Sequence, residues 1–194
     1  MAAVFDELRF GHENRLDLRT SLPTGAEAAR RTELFLRERQ VASAREVLIV
    51  TGRGNQSAGG VPVVRPAVAK LLAQLRRSGV VTSWQEHTAG SFVVTPAPIS
   101  ALLEIPRRNG DSAASPAPDQ ASFSGLDPAT RDVLRALAVR SLQLLGASAA
   151  DSFVLDEMQR QYSALGTAVR PGPNREARLR AAAERALDEL DDRE

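Results

Sequence analysis

The chain has no cysteine, which excludes disulfides, thiolate metal sites and a cysteine nucleophile. Histidine is nearly absent too: His12 and His87 are the only two, too few for a histidine-rich metal centre. No apolar run approaches the ~18 residues that a membrane-spanning helix needs. The N-terminus carries Asp6 and Glu7 and no long apolar core, which does not fit a secretory signal. The expectation is a soluble, cytoplasmic protein with no membrane partner. Lysine is reduced to Lys70 alone; the arginine bias favours bidentate phosphate contacts, although base composition is the readier explanation. The net charge of +1 does not announce a nucleic-acid binder. Its distribution is uneven, with 13 basic and 10 acidic residues over 1–105 and 12 and 14 over 106–194.

What is present is organised around Glu46-Val-Leu-Ile-Val-Thr-Gly-Arg-Gly-Asn-Gln-Ser-Ala-Gly-Gly60. Four consecutive aliphatics, Val47 to Val50, read as a fully buried strand. A glycine-rich loop follows, and a helix signal opens with Pro66 suited to the first helical position. Strand, glycine loop and helix together present backbone N–H groups to an anion, and Arg53 adds a charge-assisted contact.

The flanking segments complete an α/β pattern. Residues 1–14 show no period and read as an arm. Arg15-Leu-Asp-Leu-Arg-Thr20 alternates at the strand period, with Leu16 and Leu18 toward a core and Arg15, Asp17 and Arg19 on the other face. Thr24-Gly-Ala-Glu27 is a capping box that starts a helix burying Ala28, Ala29, Thr32, Phe35 and Leu36. Val68, Leu71, Leu72 and Leu75 form the stripe of a second helix. Val80 to His87, with Val80, Thr82 and Trp84 on one face, and Ser91 to Thr95 read as a hairpin across Thr88-Ala-Gly90. The order predicts a two-layer β-α-β-α-β-β sandwich over 15–105, with part of one sheet face open. Residues 106–124 have linker composition. Three helices are expected over 125–194: one opened by Asp127-Pro128 and ending at Gly146, one ending at Gly166, and one after Pro171-Gly-Pro-Asn174. The first carries Leu134, Leu137, Ala138, Ser141, Leu142 and Leu145, the second Val154, Met158, Tyr162 and Leu165, and the third Leu179, Ala183, Ala186, Leu187 and Leu190.

A β-α-β crossover sets the carboxyl end of the first strand beside that of the buried one, where ligands bind in such sheets. Asp17, Arg19, Thr51, Arg53 and the loop amides then converge on one anionic group. Leu-Asp-Leu-Arg, followed some thirty residues on by Ile-Val-Thr-Gly-Arg-Gly, resembles the Smr (small MutS-related) domain family over roughly Arg15 to Ile105. The resemblance implies a fold similar to the C-terminal domain of translation initiation factor three. It also implies nicking or cutting of DNA, or cleavage of RNA on stalled or collided ribosomes. The family's first motif is Leu-Asp-x-His and its second is His/Thr-Gly-x-Gly. Matched here, these give Asp17 and Arg19 as catalytic residues, with Thr51, Gly52, Arg53, Gly54 and Arg15 as phosphate or nucleic-acid contacts.

Arg19 stands in the histidine position, a form that also occurs where the domain is fused to a MutS-type ATPase. Arginine does not deprotonate in a protein, but it neutralises phosphate and stabilises charge developing on its oxygens. Asp17 is left as the obvious proton acceptor, and a carboxylate titrating near ~4 is a weak base at neutral pH. Thr20 replaces the glycine that commonly follows the motif. The expectation is an endonuclease slower or more partner-dependent than the histidine form. The competing reading is a non-catalytic nucleic-acid or ribosome binding module. Taken without the second motif, Asp17 and Arg19 read more readily as a same-face ion pair on an exposed strand, worth little. His87 lies near the hairpin turn, where a surface histidine is the commoner reading than a catalytic one. Trp84 fits core packing better than base stacking, and Arg76-Arg77 fits a helix C-terminus as well as a phosphate track. Dinucleotide binding fits poorly, because Ser57 stands at the third glycine position and no acidic residue follows at the required distance. No protein metal site is evident, and a magnesium requirement is open. The C-terminal helices carry no motif; dimerisation, covering the open sheet face and ribosome docking are the roles considered for them.

Overall fold

A computed structural model of the chain describes residues 9–21, 23–53, 62–104 and 123–192. Gly54, the rest of the glycine loop to Gly60 and most of the 106–124 linker lie outside these residues. The chain divides into two compact units, Met1–Ala97 and Pro98–Glu194.

The first unit holds β1 (Arg15–Asp17), α1 (Gly25–Val41), β2 (Val47–Val50), α2 (Val64–Arg77), β3 (Val81–Thr88) and β4 (Ser91–Pro96). The sheet order is β1-β2-β4-β3, with β1 parallel to β2 and the other pairs antiparallel. This is the expected element order, with the expected hairpin. Val47 pairs with Val94 and Ile49 with Phe92. Arg65 of α2 lies over the Phe92 ring, so these residues form the sheet face toward the helices, and alternation turns Leu48 and Val93 the other way. Gly25 permits the close approach of the two helices: a Cβ there would lie 3.3 Å from both Ala67 Cβ and the Val63 carbonyl oxygen.

Local chemistry moves several expected boundaries. β1 ends at Asp17 instead of running to Thr20, because the Asp17 carboxylate accepts the Arg19 backbone N–H at 3.0 Å. That Asx turn diverts the chain into a 3-10 turn at Arg19–Ser21, so Arg19 is not a strand residue. α1 keeps its capping box, with Thr24 and Glu27 bonded reciprocally. It buries Ala28, Thr32, Leu36 and Gln40, while Ala29 and Phe35 are half-buried. α2 starts at Val64, which puts Pro66 at the third helical position. Proline is tolerated there because N–H groups of the first turn have no intrahelical acceptor. A register shift between Val81 and Ser83 breaks the alternation of β3, so Val81 is buried while Thr82 is exposed. Trp84 is half-buried, edge-to-face with Phe92 at 5.6 Å. Phe10, from the segment expected as an arm, is buried against Leu48 and Val93 on the face away from the helices.

The second unit contains a 3-10 turn at Ile99–Leu102, then α3 (Pro128–Leu144), α4 (Asp151–Ala168) and α5 (Arg175–Asp191). Asp127 caps α3, accepting from the Ala129 N–H at 2.9 Å, with Pro128 at the first position. The α3 stripe is buried from Leu134 to Leu142, but Leu145 is exposed, lying past the last helical turn before Gly146 at φ +65°. α4 runs through Gly166 rather than ending there. A Cβ on Gly166 would meet Arg175 Nη2 at 3.2 Å, and that guanidinium donates to the Gly166 carbonyl; the glycine makes room for a side chain, not for a cap. Val154, Met158 and Leu165 are buried and Tyr162 is half-buried. In α5, Leu179, Ala182, Ala183, Ala186 and Leu190 are buried and Leu187 is half-buried.

Candidate functional site

The parallel register sets Asp17 opposite Val50, and the Leu18 N–H donates to the Val50 carbonyl at 2.9 Å, so both strands end together. The next residues of β2 are taken over by the β3–β4 turn. The Gly90 carbonyl accepts the Thr51 N–H at 2.8 Å, the Gly52 N–H at 3.0 Å and the Thr51 hydroxyl at 3.1 Å. The two backbones approach so closely that a Cβ on Gly90 would fall 3.0 Å from the Gly52 carbonyl carbon. Gly52 has φ +76°, a left-handed conformation that favours glycine, and a Cβ on it would lie 3.3 Å from Arg19 Cγ. The stem of Arg19 therefore runs against Gly52.

Asp17 holds that arginine by a fork. Arg19 Nε donates to Oδ1 at 3.0 Å and Nη2 to Oδ2 at 2.6 Å, while Arg15 Nη2 adds a third side-chain contact at 3.2 Å. With the Arg19 backbone N–H, the carboxylate accepts four donors. The side-chain bond from Arg19 is the largest influence and holds the Asp17 carboxyl below its ordinary range; partial burial opposes it, and the Arg19 backbone N–H and the Arg19 and Arg15 charges add to the lowering. The same bond pushes the Arg19 guanidinium up. Asp17 is thus an anchor for cations and a poorer base than a free aspartate. Of the Arg19 side chain 54% is exposed, against 21% for Arg15 and 20% for Asp17, so Arg19 is the group presented to solvent.

The structure brings Asp17, Arg19, Arg15, Thr51 and Gly52 together. Arg53 follows Gly52 and is exposed, and Gly54 lies outside the described residues. Thr51 is buried, and both its N–H and that of Gly52 already serve Gly90. His87 is not brought to Asp17. It is exposed on β3, edge-on to Phe10 at 6.3 Å, and β2 and β4 intervene between β3 and β1. Three strand spacings put it roughly 14 Å from Asp17. Gly90 was visible in the sequence only as a hairpin glycine. Arg65, whose guanidinium reaches the same turn, was visible only as part of a helix start. Among the described residues, no group of three or more His, Asp or Glu is arranged to hold a metal ion, and no helix is long and apolar enough to cross a membrane.

The first unit is thus a two-layer α/β domain whose cationic rim lies at the carboxyl ends of two parallel strands. Residues 16–95 match the family model of the Smr domain, and this part of the chain is an Smr domain, followed by a helical region. The Smr family is one of nucleic-acid-binding and nuclease-type domains. No curated protein and no solved structure is significantly similar to the chain.

Proposed function

We propose that the Smr domain is an endonuclease module that binds the nucleic-acid backbone at this rim, with Arg19 facing the scissile phosphate. One observation carries the reading: Asp17 fixes the Arg19 guanidinium through two parallel hydrogen bonds while leaving half of that side chain in solvent. A guanidinium held in advance loses little side-chain entropy on meeting a phosphate and offers its remaining N–H donors to charge that grows on the oxygens. Arg15 and Arg53 add positive charge along the strand of nucleic acid, and Gly52 lets the loop backbone pass close to it. Thr51 acts indirectly, by tying the loop to Gly90. The role of Asp17 is to position Arg19; with four donors on its oxygens it does not serve as the general base.

The same saturation of Asp17 favours a second reading, a module that binds nucleic acid without cutting it. Labelled single-stranded RNA, structured RNA and supercoiled DNA, each with and without magnesium, separate the two. Cleavage that Arg19→Ala abolishes supports the first reading. Salt-sensitive binding without cleavage on every substrate supports the second. Wild-type activity in Arg19→Ala would remove Arg19 from the site altogether.

A further inference from the structure

Arg65 stands in the first turn of α2, where a cation opposes the positive end of the helix dipole, so helix stability does not account for it. Among the described residues, the polar and ring contacts of its guanidinium lie on the β3–β4 hairpin. The guanidinium carbon is 4.8 Å from the centroid of the Phe92 ring. Nη1 donates to the Ala89 carbonyl at 2.7 Å, and Nη2 pairs with Glu86 Oε1 at 2.6 Å. Only 21% of the side chain is exposed, against 64% for Glu86, so Arg65 is the more buried partner. The residue after Ala89 is Gly90, whose carbonyl gathers the Thr51 N–H, the Gly52 N–H and the Thr51 hydroxyl. Gly52 in turn is the floor under the Arg19 stem. One guanidinium thus fixes the turn, the turn fixes the loop, and the loop backs the arginine that faces solvent. Arg65 is bonded to neither Asp17 nor Gly52.

We propose that Arg65 is a positioning residue for the Arg19 rim, acting through the Ala89–Gly90 turn. The proposal deepens the nucleic-acid reading of the rim and rests on it for its functional consequence. It distinguishes Arg65 from an arginine that merely joins helix to sheet, because the turn it grips is also the acceptor for the site loop. Lysine would not reproduce it: an ammonium is a point charge and cannot serve the carbonyl, the carboxylate and the ring face from one plane.

The test uses the full chain with Arg65→Met, which keeps the apolar stem over Phe92, and Arg65→Lys. Amide hydrogen exchange is followed residue by residue, and RNA and DNA cleavage is measured in parallel. In Arg65→Met the Thr51 and Gly52 amides are expected to exchange roughly tenfold faster while the Val47 to Val50 amides keep their wild-type rates. Cleavage is expected to lose about 10- to 100-fold in kcat with KM nearly unchanged, since misplacement of Arg19 weakens the transition state more than ground-state binding. Arg65→Lys should fall between. Wild-type exchange at Thr51 and Gly52, or acceleration shared by the whole sheet, overturns the proposal, and so does selective exchange that leaves cleavage intact. If the wild-type protein neither binds nor cleaves nucleic acid, the rim's assignment fails separately, and selective exchange at the two amides still decides whether Arg65 sets the loop.

Discussion

Asp17 and Glu157 are each gripped by arginine, and they teach opposite lessons. In the helical unit, Glu157 is buried and accepts from Arg160, from the Ser141 hydroxyl at 3.1 Å and from Gln161 Nε2 at 2.8 Å. Its arginine is mostly covered as well and donates onward to the Leu103 carbonyl. At the Smr rim, Asp17 also accepts several donors, yet its main partner Arg19 is half in solvent and has no further protein acceptor beyond the Asp17 fork among the described contacts. Both clusters satisfy a carboxylate. Only the rim leaves a cation with donors to offer, and that difference separates a structural tie from a site.

The largest expected effect breaks the buried cluster. Glu157→Ala strands the Arg160 guanidinium and the Ser141 and Gln161 donors in a covered position, which should cost about 3–5 kcal/mol of stability. Urea unfolding of the full chain measures it. A loss below about 1 kcal/mol would mean that water replaces the carboxylate and that the cluster is no more than a surface pair. Nucleic-acid cleavage at a temperature where the variant remains folded should be unchanged.

The reverse pattern is expected at the rim. Arg19→Ala should lower cleavage by about 10²- to 10³-fold, the usual cost of removing one transition-state donor. It should change stability by less than about 1 kcal/mol, because Arg19 is half-exposed and Arg15 stays beside the carboxylate. Arg19→His makes the comparison sharper. It introduces a group titrating near ~6.5, so its cleavage should vary between pH 5 and 8 where the wild-type rim has nothing to titrate. A flat profile in that variant would indicate that position 19 does not face the reacting phosphate.

How much of this was legible in the sequence follows from the range of the interactions. The buried strand, the capping box, the hairpin and the helix stripes are set by neighbours within a few residues, and periodicity exposed them. Asp17 and Arg19 stood two residues apart, so their pairing was legible too. That the aspartate ends its own strand by accepting the Arg19 N–H was not, because alternation in Arg15 to Thr20 looks the same with or without an Asx turn. Phe10 gave no signal, since one aromatic has no period, and its burial depends on Leu48 and Val93 far along the chain. Gly90 and Arg65 matter through contacts with residues 39 and 24 positions away, which no local pattern encodes. Gly166 misled for the converse reason: a glycine near a helix end looks like a cap, and here it accommodates Arg175.

The smallest effect is a proton affinity. The Arg19 side-chain bond is the chief reason that the Asp17 carboxyl lies below its ordinary value, with the Arg15 charge a lesser one. A carboxyl whose folded pKa is depressed contributes stability above the unfolded value of about 3.9, and that contribution is lost as pH falls through the folded pKa. In wild-type protein the fork should therefore dissolve only in acid stronger than that which protonates an ordinary aspartate, leaving the rim's geometry unaffected between pH 5 and 8. Arg19→Ala should raise the Asp17 midpoint, because partial burial then acts against fewer donors, and Arg15→Ala should raise it less. Carbon-13 NMR of the Asp17 carboxyl, titrated in the three proteins, gives the order directly. A wild-type midpoint at or above the ordinary aspartate value would mean that the fork does not hold in solution. Arg19 would then be a free surface arginine, and the contrast with the Glu157 cluster would rest on burial alone.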